Sequence, residues 1–309
     1  MYEQIEPGIR ELVQEFIASG KPCSSKQTIQ QRREGYVAST SLAGQSPDMA
    51  EEFICELNGI QLKVFKPVVR HDLPVIVYFH GGCFVSGGFE THTPQLRQLA
   101  QLSECMVICI RYRLAPEHVY PAAHDDVYQA VLGIQDSAVR LGVDSQRMFF
   151  IGDSAGAQLA LVTSLRLKQR QQGLPSGQIL IYPMLDPFGS SHSYQMNGQD
   201  YMITAQALLS GFAMYTANQT VESVCSNPEL HPLQAADLSG LPQTWIITAE
   251  FDPLKDEGFT LYERLRTQGV TVQHKHYAGV IHGFFQLAGV SQSAVSCIHY
   301  IAQAVKEAF

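Results

Sequence analysis

No stretch of this 309-residue chain is apolar for long enough to cross a bilayer. Its strongest runs, such as Met106-Val-Ile-Cys-Ile110, fall far short of the ~20 residues a spanning helix needs. Basic residues are scarce as well: Lys and Arg number 21 against 29 Asp and Glu, a formal charge of −8. With no Lys/Arg block to offset that balance, a nucleic-acid partner is excluded, and a strongly anionic substrate is disfavoured unless local fields differ from the total. The seven cysteines are odd in number, widely spaced and without a Cys-x-x-Cys pair. That argues against a disulfide framework or a zinc ribbon and points to reduced thiols in the cytoplasm. The opening MYEQIEPGIRELVQEF lacks a basic region followed by an apolar one, so no secretory signal is expected. Internal repeats, low-complexity tracts and Pro/Gly/Ser linkers are absent too. What is present is 45% hydrophobic and 16% charged residues, with a mean hydropathy of −0.03. Such a chain buries a substantial core, which suits one large domain or one domain with an insertion.

After residue 50 the pattern alternates. Phe53–Leu57 and Ile60–Lys66 flank Asn58-Gly59, a favoured hairpin turn. Val75–Phe79, Met106–Ile110, Met148–Ile151, Ile179–Tyr182 and Trp245–Thr248 are short continuous apolar runs, as expected of strands buried on both faces of a parallel sheet. Between them lie helical patterns over Thr93–Leu102, Ala122–Arg140, Ala155–Gln171 and Leu254–Gln268, the last ending at Gly269. This alternation predicts a doubly wound α/β sheet. Two segments break the rhythm. Residues 1–45 read as one or two helices before the first strand, and 187–230 as loops around a helix near Thr204–Tyr215. Ligands of open α/β sheets bind beyond the carboxyl ends of the strands, so both segments are expected to cover that end as a cap. The expected divisions are 1–45 for the N-terminal cap helices, 46–186 and 231–309 for the two parts of the core, and 187–230 for the cap insertion.

Gly152-Asp153-Ser154-Ala155-Gly156 sits between an apolar run and a helical pattern, the strand–turn–helix setting that a G-x-S-x-G nucleophile elbow requires. Such a turn lifts the Ser154 hydroxyl above the sheet edge and leaves the Ala155 N–H at a helix N-terminus, where negative charge is favoured. His80-Gly81-Gly82-Cys83 follows Val75–Phe79, and a glycine-rich turn there can converge N–H groups on an oxyanion. Cys83 itself reads as a small buried side chain. A serine nucleophile needs a base and an orienting carboxylate. His282, flanked by Gly279 and Gly283 after the expected strand Thr271–Tyr277, is the best-placed base. His274 and His276 alternate on that strand and read as structural. Asp252 is the favoured carboxylate, with Glu250 and Asp256 behind it. Asp252-Pro253 also reads as a helix N-cap followed by Pro at the first helical position.

Together, His80-Gly-Gly-Cys83, Tyr112-Arg-Leu-Ala-Pro-Glu117, Gly152-Asp-Ser-Ala-Gly156, Asp252-Pro-Leu-Lys-Asp-Glu257 and His282-Gly-Phe284 closely resemble the hormone-sensitive-lipase-like family of α/β-hydrolases, esterases with a GDSAG elbow. The resemblance spans roughly residues 50–309, and the N-terminal helices resemble that family's cap. It implies an α/β-hydrolase fold, a mostly parallel central sheet flanked by helices and carrying a helical cap. It implies Ser154, Asp252 and His282 as a triad, with oxyanion donors drawn from Gly81, Gly82, Cys83 and Ala155. His80 would organise its loop, and Arg113 and Glu117 would belong to ion pairs. Two departures stand out: Cys83 replaces the usual third glycine, and Ala157-Gln158 replaces the usual Gly-Asn after the elbow. Both bear on pocket shape more than on chemistry.

The expected activity is hydrolysis of short-chain esters, acetyl to hexanoyl, through an acyl-enzyme. The alternatives are an amidase or deacetylase at the same site, or a ligand-binding member of the fold without catalysis. No metal and no organic cofactor is called for. The expected partner is a small-molecule ester, with neither nucleic acid nor membrane insertion, and a homodimer is compatible with the sequence.

Overall fold

The five apolar runs of the sequence all form strands, and the segments between them form helices, in a computed structural model that describes residues 2–309. Helices α1 (Pro7–Ala18) and α2 (Ile29–Ala38) precede the sheet. A hairpin follows, of β1 (Glu51–Leu57) and β2 (Ile60–Lys66), turning at Asn58-Gly59 with positive φ at both residues. Next come β3 (Leu73–Phe79), α3 (Phe89–Ser103), β4 (Met106–Arg111), α4 (Ala122–Asp136) and the short α5 (Ala138–Leu141). The central unit is β5 (Val143–Asp153), α6 (Ala155–Gln169) and β6 (Gly177–Ile181). Three helices, α7 (His192–Asn197), α8 (Ala205–Tyr215) and α9 (Val221–Ser226), intervene before β7 (Gln243–Phe251). Then α10 (Lys255–Thr267), β8 (Val272–Ile281) and α11 (Gln292–Glu307) complete the chain.

The eight strands lie in the order β1-β2-β4-β3-β5-β6-β7-β8. Pairing is antiparallel from β1 through β2 to β4 and parallel from β4 to β8. β3 is buried along its whole length, and its side chains alternate between two cores, Val75, Val77 and Phe79 on one face, Ile76 and Tyr78 on the other. Each such buried side chain contributes about 1.5–3 kcal/mol. β3 has β4 on one side and β5 on the other, so the strand order reverses there. Crevices open at such a switch point, beyond the carboxyl ends of the strands.

Two helices differ from their expected extents. The pattern over Ala122–Arg140 splits at Ser137, whose backbone (φ −101°, ψ 11°) leaves the helical region. Helix α3 begins at Phe89, ahead of Pro94, which lies within it. The ring removes the N–H that would bond to Glu90 O, and Thr40 Oγ1 donates to that carbonyl over 3.4 Å.

Helix α6 is pressed hard onto the sheet. A Cβ on Gly156 would stand 2.0 Å from Phe79 O, and one on Gly152 would stand 2.4 Å from Gly156 O. Only glycine permits the β5–α6 turn to sit against β3. Gly156→Ala is therefore expected to lower unfolding free energy by about 3 kcal/mol or more, read as a lower urea midpoint at unchanged m-value. A midpoint equal to the parent's would contradict this packing.

Candidate active site

The turn between β5 and α6 holds Ser154 at φ 56°, ψ −120°, a conformation that costs a non-glycine residue free energy and persists only when its surroundings enforce it. They do so through backbone bonds: Ser154 N–H donates to Ile181 O (2.8 Å), and Ser154 O accepts from the N–H groups of Met184 (3.2 Å), Ala157 (3.1 Å) and Gln158 (3.3 Å). The hydroxyl faces His282, which follows β8. His282 Nε2 lies 3.0 Å from Ser154 Oγ, and Nδ1 lies 2.8 Å from Asp252 Oδ2, after β7. All three side chains are buried. Tyr182 packs on the imidazole with ring centroids 4.6 Å apart.

Asp252 is the carboxylate brought to the imidazole, and its two rivals are engaged elsewhere. Glu250 Oε2 accepts from Gly279 N–H (2.7 Å), and Asp256 Oδ2 accepts from Ser193 N–H (2.8 Å). Asp252 is not the helix cap expected from the sequence. Helix α10 starts at Lys255, and Asp252 Oδ1 instead accepts from Leu254 N–H (2.7 Å), closing a turn over Pro253. That turn aims the other oxygen at His282. Residues of α7 brace the same loop: Asn197 Nδ2 donates to Glu250 O and Asp252 O (3.2 Å each), and Ser193 Oγ donates to Pro253 O (2.6 Å).

The glycine turn after β3 separates the four expected oxyanion donors. Gly81 N–H donates to Asp153 Oδ1 (2.9 Å), so it is occupied and drops out of the set. The N–H groups of Gly82, Cys83 and Ala155 donate to no protein acceptor among the described residues. Gly82, Cys83 and Phe84 all have positive φ (127°, 54° and 63°). Gly82 O turns back to accept from Val85 N–H, Ser86 N–H and Ser86 Oγ. Successive N–H groups are thereby left free, the arrangement that binds anions. Cys83 is only partly buried and borders the cavity, a correction to the sequence expectation. Burial pushes its thiol up to about 11 against the pull of Arg32, so it stays protonated at neutral pH.

Sequence reasoning did not find what holds this turn. Asp153, the second letter of the elbow motif, is buried beneath it. Its Oδ1 accepts from Tyr78 Oη (2.8 Å) and Gly81 N–H and lies 3.1 Å from His92 Nε2. Burial alone would raise the Asp153 carboxyl, but His92 and Tyr78 outweigh it and hold it below its ordinary value. His80 stacks on Tyr112 (4.1 Å), and Nδ1–H donates to Gly81 O (2.9 Å). Burial, then His92, lower His80 to about 3, so it is neutral. Arg113 and Glu117 each form an ion pair, with Asp126 and Arg33 respectively rather than with each other. His274 and His276 both turn a ring nitrogen to Thr248 Oγ1 (2.8 and 3.0 Å).

A family model described as the alpha/beta hydrolase fold matches residues 76–286, which contain Ser154, Asp252, His282 and the glycine turn after β3. The chain belongs to the hormone-sensitive-lipase-like family of α/β-hydrolases, and it is a carboxylic ester hydrolase. It is 35% identical to carboxylesterase NlhH of Mycobacterium tuberculosis over 254 residues, 82% of this chain and 79% of that one. It is 29% identical to an ethyl acetate hydrolase of Pseudomonas putida over 310 residues, 96% of each chain. Among solved structures, an ester hydrolase from the metagenome of Lake Arreo, complexed with a bipyridine phosphonate derivative, superposes with a TM-score of 0.92, 31% identity and 98% of each chain covered. Within this esterase the two irregular segments meet above Ser154 and His282. Arg32 of α2 reaches Ala207 and Ser210 of α8, and Cys23 Sγ lies 3.0 Å from Thr204 Oγ1. Beneath them is a cavity of about 290 Å³ bordered by Ser154, His282, Tyr36, Tyr182 and Leu208.

Asp153→Asn tests the turn's support. The substitution is expected to remove about 2 kcal/mol of stability at neutral pH, the scale of hydrogen bonds to a charged group. The Asp153 carboxyl is lower folded than unfolded, so its contribution is complete above the unfolded value of ~3.9 and fades as pH falls through the folded one. Urea midpoints of parent and variant should differ most near neutral pH and converge below about pH 4; a constant gap would contradict the assignment.

Proposed function

We propose that the protein is a serine esterase of short-chain acyl esters, acetyl to hexanoyl, acting through an acyl-enzyme. The Ser154–His282–Asp252 chain of contacts, 3.0 and 2.8 Å, is the observation that carries this reading. Ser154 Oγ attacks the ester carbonyl while His282 Nε2 takes its proton. Asp252 keeps the Nδ1 proton facing itself and stabilises the imidazolium. The tetrahedral oxyanion sits against the N–H groups of Gly82, Cys83 and Ala155, each worth about 3 kcal/mol in the transition state. The imidazolium then gives its proton to the departing alcohol. Water, deprotonated by the same imidazole, attacks the acyl-enzyme and releases the acid.

The short-chain limit is supported by size. A cavity of about 290 Å³ has space for roughly ten groups at ~30 Å³ each, the share of one water. The covering comes from residues 1–45 and 187–230, which we read as the cap, and the name of the ethyl acetate hydrolase relative agrees with small acyl groups.

The test is a kcat/KM series over p-nitrophenyl esters of two to twelve acyl carbons. The expected profile is highest between two and six carbons and falls at least tenfold by twelve. Ser154→Ala is expected to abolish the acylation burst and lower kcat by at least 10³ with the fold intact, since elbow and base act as a unit. Parental turnover by Ser154→Ala would overturn the mechanism, and a peak at ten or twelve carbons would overturn the size limit.

A further inference from the structure

Arg32 is the only Arg or Lys bordering this cavity among the described residues, and the triad chemistry does not use it. It stands on α2, is only 8% exposed and borders the same space as Ser154 and His282. A guanidinium has five N–H donors in a planar fork suited to carboxylates. Arg32 uses two on neutral oxygens: Nη1 donates to Ser210 Oγ (3.2 Å) and Nη2 to Ala207 O (3.1 Å). Other arginines of the structure have carboxylate partners, Arg33 with Glu117, Arg113 with Asp126, and Arg166 with Asp125 and Glu229. Arg32 forms no ion pair among the described residues. The carboxylate bordering the cavity, Asp153, is taken up by Tyr78, Gly81 and His92. A buried cation without a counter-charge is costly, and two neutral acceptors would be served as well by an amide.

Its position relative to the glycine turn is also fixed. Arg32 Nη2 and Cys83 Cβ flank one point, 3.5 and 2.6 Å from where a Cβ on Gly211 would stand. Gly211 on α8 thus leaves the gap in which the guanidinium approaches the turn that supplies the oxyanion donors. Arg32 and Ser154 border one cavity of about 290 Å³, so a single small ester placed there faces both.

We propose that Arg32 forms a carboxylate subsite in the catalytic cavity and that the preferred substrates are esters bearing a terminal carboxylate. The charge arrives either on the acyl part, as in half-esters of dicarboxylic acids, or on the alcohol part, as in acylated hydroxy acids. The protein's overall charge of −8 opposes anions at long range, so selection for them rests on this one buried site. The inference relies on the serine esterase reading above for the position of the reacting carbonyl.

Two matched pairs test it by pH-stat. Monoethyl glutarate is compared with ethyl 5-methylhexanoate, in which an isopropyl group replaces the carboxylate; 4-acetoxybutyrate is compared with 4-methylpentyl acetate. In one pair the charged ester is expected to have at least a tenfold higher kcat/KM, expressed in KM, and the pair that shows it tells which side of the ester faces Arg32. Arg32→Met should erase that ratio, and Arg32→Lys should keep part of it. Equal or better turnover of the neutral ester in both pairs by the parent protein overturns the proposal, with no variant needed. So does a ratio that survives in folded Arg32→Met. Hydrolysis of p-nitrophenyl acetate by the parent separates these outcomes from failure of the esterase reading, which would abolish that activity too.

Discussion

The close approach of α6 to β3 is the constraint on which the rest depends. Gly156 lets the helix start against Phe79 O, Gly152 lets the strand end against the helix, and the residue between them is forced to φ 56°. Ser154 does not choose that conformation; two glycines and its backbone bonds impose it. The same contact places the first free N–H of α6 beside the turn that ends β3. The hydroxyl that faces His282 and the free N–H groups near it are therefore set by one packing event, and the strain is offset by burial on both faces of the central strands.

Around that contact the polar groups form a layered support. Asp153 accepts from Gly81 N–H and removes it from the donor set, while Gly82 and Cys83, whose N–H groups are free, border the cavity. Tyr78 and His92 keep that carboxyl ionised despite its burial. On the far side, Asp252 divides its oxygens between Leu254 N–H and His282, while α7 ties down the loop. The segment that carries α7 and α8 therefore both borders the cavity and braces the loop of Asp252. Gln158, which departs from the family's usual asparagine, donates from α6 to Glu229 O and Leu230 O and secures the end of that segment.

The core was legible because its signals are local. Runs such as Val75–Phe79 are buried on both faces, and a short, unbroken apolar stretch between turn residues suits a strand covered from both sides. The glycines of the elbow and of the turn at 81–82 announce close backbone approaches. Ser154 and His282 could be picked because each stands in a glycine-flanked turn after a strand. The rest depends on contacts distant in sequence. Nothing near Asp153 shows that it faces Gly81 and His92, and nothing near Arg32 shows that its helix folds over Ser154. Gly81 fails as a donor for the same reason. Helix α3 starts before its proline because Phe89 finds a buried place, which no local propensity reveals.

The central claim is that one hydroxyl, Ser154, is activated by the imidazole 3.0 Å away. Its most direct test is peptide mapping by mass spectrometry after brief exposure of the folded protein to a fluorophosphonate. The account predicts a single phosphonyl adduct on Ser154, lost when His282 is replaced by Ala. An adduct on another residue, or none on folded protein, would contradict it.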